Sequence, residues 1–333
     1  MEKITLAHGS GGTLMHGLID STMIRKLDNP ILRQKKDSAI LRIGKARIAF
    51  TTDSYVVSPI FFPGGDIGSL AVHGTVNDLS VCGARPLFLS LGLIIEEGLD
   101  KNILDKVIRS AGEAAGRAGV DIVTGDTKVV ERGACDKIFI NTSGVGDVYY
   151  EKLSVSEIRP GDVIIASGTI GEHAIAILSQ REGIEFGSGI KTDSAPLNKL
   201  IRKVFSASDK VRFMRDPTRG GVATTLNEIT ASRPFGICLE ERAIPVSNGV
   251  RQACELLGFD PLYLACEGRF LMVVGRKDAA GVLNVIRGDS CGKKAAIIGE
   301  VTKEHKGRVY LNTAAGGKRL VDMLSGEQLP RIC

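Results

Sequence analysis

Residues 66–83 read DIGSLAVHGTVNDLSVCG. Asp66 is a preferred N-cap, Gly83 stops the run and Pro86 lies just beyond, so a helix is predicted over Asp66–Cys82. Asn77 and Asp78 interrupt this otherwise apolar run. Two adjacent polar groups disfavour a helix interior and must point somewhere useful. Working outward, Ala46–Thr52 reads as a buried strand that ends in Thr52-Asp53-Ser54. Leu99–Ala118 reads as a second helix, closed by Gly119, and Val120–Thr124 and Ile138–Val148 read as strands.

After the polar connection Glu151–Pro160 the alternation resumes. Strands are predicted at Val163–Ser167, Gly236–Glu240, Pro261–Cys266, Phe270–Gly275, Ala295–Val301 and Arg308–Asn312. Helices are predicted at Glu172–Arg181, Ala195–Ser206, Gly221–Ala231, Ser247–Leu257 and Asp278–Arg287. Both halves are therefore α/β by pattern, with no repeat of fixed period. The expected division is an N-terminal domain over residues 1–155, a C-terminal domain over 156–315 and a mobile tail over 316–333. Gly316-Gly317 offers the hinge for that tail.

The 333 residues are 43% hydrophobic and 24% charged, which is ordinary globular usage and excludes a disordered or fibrous chain. The net charge of +5 is scattered, and aromatic residues are only 5% of the chain. Neither suits a surface that stacks nucleic-acid bases. No apolar run reaches the ~18 residues of a membrane span, and the first twelve residues lack a signal-peptide core. The seven cysteines form no C-x-x-C pair and are odd in number, so a structural zinc site is disfavoured and a reducing cytoplasm is expected.

The usual nucleotide fingerprints are absent: there is no G-x-x-x-x-G-K-[ST], and no G-x-G-x-x-G follows a strand. What remains is a set of acids at element ends: Asp53, Asn77-Asp78, and Asp126 in Gly125-Asp126-Thr127-Lys128. Carboxylates brought together with phosphate oxygens are what magnesium requires. Each Asp alone reads more readily as a turn or cap residue. Lys128 suits a phosphate charge or a solvated surface. Gly9, Gly11 and Gly12 can wrap an anion or simply turn. Gly220 and Gly221 open a helix behind Arg215 and Arg219, which makes an anion site or an N-cap formed by Asp216 or Thr218. His173 opens another helix as a proton carrier or a packing residue. Glu267 sits in a turn or acts as a base. Cys333 ends a flexible arm, and a thiol placed there could carry a covalent group. A prenylation box would need cysteine at position 330, which is Pro330.

Taken together, His8–Gly12, Thr51–Ser54, Phe62–Asp66, Gly74–Leu79, Gly125–Val130, Arg215–Gly221 and Pro330–Cys333 give the chain a resemblance over nearly its whole length. It resembles the hydrogenase expression/formation family of the AIR synthetase-like superfamily. One departure is Cys266, where that pattern has Asn. The resemblance implies a two-domain α/β fold, a homodimer and a cleft for ATP and Mg2+. It implies that Cys333 receives a carbamoyl group from a carbamoyltransferase, HypF, and that this S-carboxamide is dehydrated to a thiocyanate. The cyanide then passes to iron on a HypC–HypD scaffold. On this basis Asp53, Asn77, Asp78 and Asp126 are assigned to metal and phosphate, and Lys128 to the transferring phosphoryl. Glu267, or more weakly His173, takes the nitrogen proton. Gly9, Gly11 and Gly12 close over the nucleotide, and Gly220 and Gly221 line a second anion position. The rival expectations are a small-molecule phosphotransferase of the same superfamily and a non-catalytic maturation scaffold.

Overall fold

The structure is a computed structural model that describes residues 3–184, 189–324, 329 and 331–333. The predicted first helix spans Ile67–Val81 (α3), and Asp66 caps it by accepting from Gly68 N at 2.7 Å and Ser69 N at 3.1 Å. Asp78 is the one residue of α3 that is not fully buried. A helix apolar on every side must be enclosed on every side. α4 (Lys101–Ala118) packs along it, capped by Asp100 and ended by left-handed Gly119.

Two short helices, α1 (Thr13–Leu18) and α2 (Arg25–Leu27), flank a π-helical turn and lead into the first sheet. That sheet contains β1 (Ala39–Ile43), β2 (Ala46–Tyr55), β5 (Ala84–Glu96), β6 (Asp121–Val130) and β7 (Ile138–Val148), in the order β1-β2-β7-β5-β6. Every pairing is antiparallel except β5 with β6. β3 (Phe61–Phe62) and β4 (Gly65–Asp66) form a small hairpin before α3.

The second sheet has seven strands: β8 (Val163–Ala166), β9 (Val211–Arg215), β10 (Gly236–Glu240), β11 (Leu271–Val274), β12 (Ala296–Thr302), β13 (Val309–Asn312) and β14 (Lys318–Val321). Their order is β14-β13-β10-β12-β8-β11-β9, and only β10 with β13 is parallel. Around them lie α5 (Glu172–Glu182), α6 (Asn198–Ala207), α7 (Gly221–Thr230), α8 (Asn248–Leu257) and α9 (Arg276–Arg287). Side chains of α7 fill one face, and those of α6 and α9 the other. A further core joins the halves: Tyr55, Ile67 and Ile138 pack with Ile175, Val250 and Leu264, and Leu329, Ile332 and Cys333 join them. The mixed α/β class stands as expected, but its sheets are mainly antiparallel.

Three expectations are corrected. Pro261–Tyr263 is a 3-10 turn capped by Asp260, not part of a strand, because proline fixes its own φ and has no N–H to give a ladder. Gly316-Gly317 is not a hinge but the turn of the β13–β14 hairpin, with Thr313 N donating to Gly317 O at 2.8 Å. β6 runs through Val130, so Gly125–Lys128 lie inside a strand and do not follow one. The arm is in fact anchored through Leu324. Asn227 Nδ2 donates to Val321 O, Tyr263 Oη to Asp322 O and Thr13 N to Leu324 O, each at 2.9 Å. Pro330 lies outside the described residues. No helix among the described residues is long and apolar enough to cross a membrane.

Candidate functional site

β2 and α3 bring the first acids together. Thr51, Asp53 and Tyr55 share the β2 face that α3 covers. Thr51 Oγ1 lies 2.9 Å from Asp78 Oδ2 and 2.8 Å from Asp37 O. Asp37 in turn accepts from Arg215 Nε at 2.6 Å, and Arg215 also pairs with Glu228. The next residue, Asp216, is buried. The N-cap of α7 is Gly220, with no side-chain cap bond, so Asp216 is not the expected cap. Across the gap, Glu267 is 2% exposed and its Oε1 has no hydrogen-bond partner.

Asp78, Asp216 and Glu267 hold their protons unusually tightly. Burial pushes Asp78 well above the carboxylate range, and Asp216, Asp53 and Asp37 push it further. Asp216 is pushed up to about 7, first by burial and then by Asp37. Glu267 is raised by burial, then by Asp216, Asp53 and Asp193, with Arg219 opposing. Buried like charges gathered in this way outnumber the cations beside them, Arg215 and Arg219. They suit a metal that arrives with phosphate oxygens. Among the described residues, no three His, Cys, Asp or Glu side chains form a metal cage on their own. Magnesium needs no such cage, because it keeps waters and shares phosphate ligands.

Asn77 is committed elsewhere. Its Nδ2 donates to Ala195 O at 3.0 Å and Glu267 O at 3.1 Å, while its Oδ1 accepts from Leu197 N at 2.8 Å. It therefore clips α3 to the C-terminal half and holds the Glu267 turn.

The glycines line the opposite wall. Gly220 and Gly221 both lie in the left-handed region, with φ of 74° and 60°. Gly11, with φ of 83°, packs so closely on Arg219 that a Cβ would sit 2.9 Å from Arg219 O. Gly12 packs on Leu324, and Gly9 lies beside Ser10 at the cavity. Beside them is a cavity of about 170 Å³, lined by Gly9, Ser10, Arg219, Gly220, Tyr263 and Cys333 among others, with the buried acids behind its lining.

Cys333 is thus tucked into the site of its own subunit. The carbonyl oxygens of Cys333 and Arg331 accept from Val56 N at 3.1 Å and Ser58 N at 3.2 Å. The end of the chain therefore pairs antiparallel with residues 56–58. Burial pushes the Cys333 thiol up to about 12. Arg219 opposes this, and Glu267 and Asp53 add to it. His173 is buried with both ring nitrogens engaged: Nδ1 lies 2.7 Å from Thr192 Oγ1 and Nε2 2.6 Å from Ile332 O. Cys266, in place of Asn, puts its sulfur 3.3 Å from Gly171 N at the start of α5.

Asp126 and Lys128 are not brought to this cavity. They pair with each other at 2.7 Å, both exposed, on edge strand β6. The register aligns Ser54, Asn141, Gly92 and Asp126 in one row across the sheet, on the face away from α3. Three strand spacings, about 14 Å, separate Asp126 from Ser54. Sequence reasoning did not single out Asp37, and it read Asp216 only as a cap. Asp37 sits in a Lys-rich run that reads as surface. Only its partner Arg215, 178 residues away, gives it a role.

Two family models match: the N-terminal domain of AIR synthase related proteins over residues 35–148, and the C-terminal domain over 159–312. The chain is 49% identical to a carbamoyl dehydratase HypE from Cupriavidus necator, covering 99% of this chain and 95% of that one. A crystal structure of the hydrogenase maturation protein HypE in complex with ATP is 50% identical, with a TM-score of 0.83 over 99% of this chain and 100% of that one. A chain from a HypE–HypF complex is 47% identical, with a TM-score of 0.87 over 92% and 99%.

Proposed function

The chain belongs to the HypE family of AIR synthase related proteins, and from that membership we propose that it is an ATP-dependent carbamoyl dehydratase acting on its own Cys333. A HypF-type carbamoyltransferase loads the thiol. The carboxamide oxygen then attacks the γ-phosphoryl of ATP and ADP leaves. One proton departs the nitrogen as the C=N bond forms. Loss of the second nitrogen proton breaks the C–O bond, phosphate takes its electrons, and a thiocyanate remains. Phosphorylation converts a poor oxygen leaving group into a good one. The cyanide of that thiocyanate is destined for iron on a HypC–HypD scaffold, in the maturation of [NiFe]-hydrogenase.

One observation carries this reading: Cys333 lines the cavity beside Arg219, near enough to the buried carboxyl of Glu267 for its charge to raise the thiol. Glu267 takes the second nitrogen proton, and its raised proton affinity suits that task. His173, hydrogen-bonded at both nitrogens, positions the tail. Asn77 positions Glu267. Gly9, Gly11 and Gly12 close over the nucleotide, with Gly220 and Gly221 at its phosphates. Magnesium would be held by Asp53 and Asp78 and would neutralise phosphate charge.

The reading includes a homodimer. On the sheet face away from α3, Phe50, Phe88 and Ile94 are 42%, 47% and 43% exposed, which is unusual for a lone chain. Asp126 and Lys128 share that face, so they serve the phosphates of a second copy. Intact-protein mass spectrometry after incubation with carbamoyl phosphate, ATP and the carbamoyltransferase tests the reaction. The last peptide should gain a carbamoyl group and then become one water lighter. Phosphate release that ignores the state of Cys333 would overturn the reading.

A further inference from the structure

The inward tail is clasped by groups that have no part in the chemistry above. Arg331 Nε donates to Val56 O at 2.9 Å, its second guanidinium nitrogen reaches Asp136 Oδ2 at 3.0 Å, and the group lies 5.7 Å over the Phe139 ring. Asp136 also accepts from Ser58 Oγ at 3.1 Å, which ties the 131–137 loop to the segment after β2 that the tail pairs with. Arg181 spans both sides of the seam, donating to Ser58 O and, at 2.9 Å, to Arg331 O. His173 takes the next carbonyl, that of Ile332. Arg331 itself is held at φ 52°, a left-handed conformation that costs a non-glycine residue energy. A strained residue persists only where its surroundings over-determine it.

None of these contacts uses the cysteine sulfur. They read two successive carbonyls, those of Arg331 and Ile332, and one guanidinium, none of which changes when the thiol gains a carbamoyl or nitrile group. The structure assigns to Asp136 and Arg331 the role of a clasp that is indifferent to cargo: they are positioning residues that set how much of the time Cys333 sits in the dehydration site and how much it is presented outside. From the last anchor at Leu324, nine residues extend at most about 30 Å, enough to carry the sulfur out of the cavity to a loading enzyme. The dehydration half of this inference rests on the function proposed above; the presentation half does not.

The test is alkylation of the unmodified full-length protein by N-ethylmaleimide, followed at each cysteine by peptide mass spectrometry. Inside the cavity the thiol is raised to about 12 and is barely ionised, so alkylation of Cys333 reports its time outside. Asp136→Ala and Arg331→Ala should each speed alkylation of Cys333 by about fivefold, the worth of a half-exposed ion pair. The double variant should fall short of the product of the two single effects, because both break the same ion pair, while each also loses a contact of its own. Buried Cys254 and Cys266 are the internal control and should keep their rates. With Cys333 carbamoylated beforehand, both single variants should dehydrate it more slowly in a single turnover, opposite in sign to the alkylation effect. Unchanged alkylation of Cys333, the full product of the two effects in the double variant, or Cys254 and Cys266 accelerating in step would overturn the clasp. If dehydration fails in the parent protein while the alkylation pattern holds, the function falls and the clasp stands.

Discussion

At Glu267 a single buried oxygen atom separates a turn residue from a base. Replacing it by Gln keeps the shape and removes the proton acceptor. Glu267→Gln should leave carbamoylation of Cys333 intact and slow its dehydration by about 100-fold or more, the usual range for a lost general base. Because burial raises the carboxyl, the parent rate should climb with pH well above the ordinary range for glutamate, and the variant should lose that climb; rapid-quench assays across pH check both. Asp216 makes the complementary stability argument. Its folded value of about 7 exceeds the unfolded value near 4, so the folded state binds its proton more tightly. That contribution is complete below pH 4 and is lost as the pH climbs to about 7. Asp216→Asn should therefore melt a few degrees above the parent at pH 8 and together with it at pH 4 in nucleotide-free scanning calorimetry. Equal melting at pH 8 would mean that the acids are not held in conflict.

At the scale of the element, α3 works through one residue per role. Asp78 faces the acids, and Asn77 clips the helix to Ala195, Leu197 and Glu267. Asn77→Ala loses three buried hydrogen bonds at about 1 kcal/mol each, so ~2–3 kcal/mol should disappear from urea unfolding. Asn77→Asp should cost more than Ala despite being isosteric, because it turns an acceptor oxygen toward two carbonyls and adds a charge beside Asp78. If Asp proves milder than Ala, the clip is misread. The sequence already signalled that α3 needed a purpose for both residues, and Asp66 and Gly119 marked the start of α3 and the end of α4; the cap Asp100 was read as already helical. What it withheld was direction. No local pattern tells that Asn77 turns to backbone 118 residues away while Asp78 turns to β2. The Gly316-Gly317 turn was likewise hidden. Lys318–Val321 has two charged residues in four and becomes a strand only because β13 offers a free edge.

For the whole molecule, the two domains and the singular terminal cysteine follow from patterns that the chain displays openly: two α/β stretches, a polar joint and an isolated last cysteine; the anchored, inward course of the tail does not, because it rests on contacts to Thr13, Val56, Ser58, Asn227 and Tyr263. The face on which Asp126 lies does not, because it depends on a three-strand register and on a bulge between Leu89 and Ser90 that shifts β5 against β6. That register turns Asp126 and Lys128 away from their own cavity and places them with Phe50, Phe88 and Ile94 on the exposed face. On the proposed function a second copy covers this face. Phe88→Arg should accordingly halve the mass seen by light scattering. A sharper consequence concerns which chain supplies which group. A Cys333→Ala chain has no cargo site, and a Lys128→Ala chain lacks the phosphate-side cation, so each alone should be inactive. Co-expressed as a mixed dimer, the first lends its Lys128 to the Cys333 of the second, and dehydration should return. If Lys128 served its own subunit, every Cys333 in the mixture would still face an alanine and no activity would return.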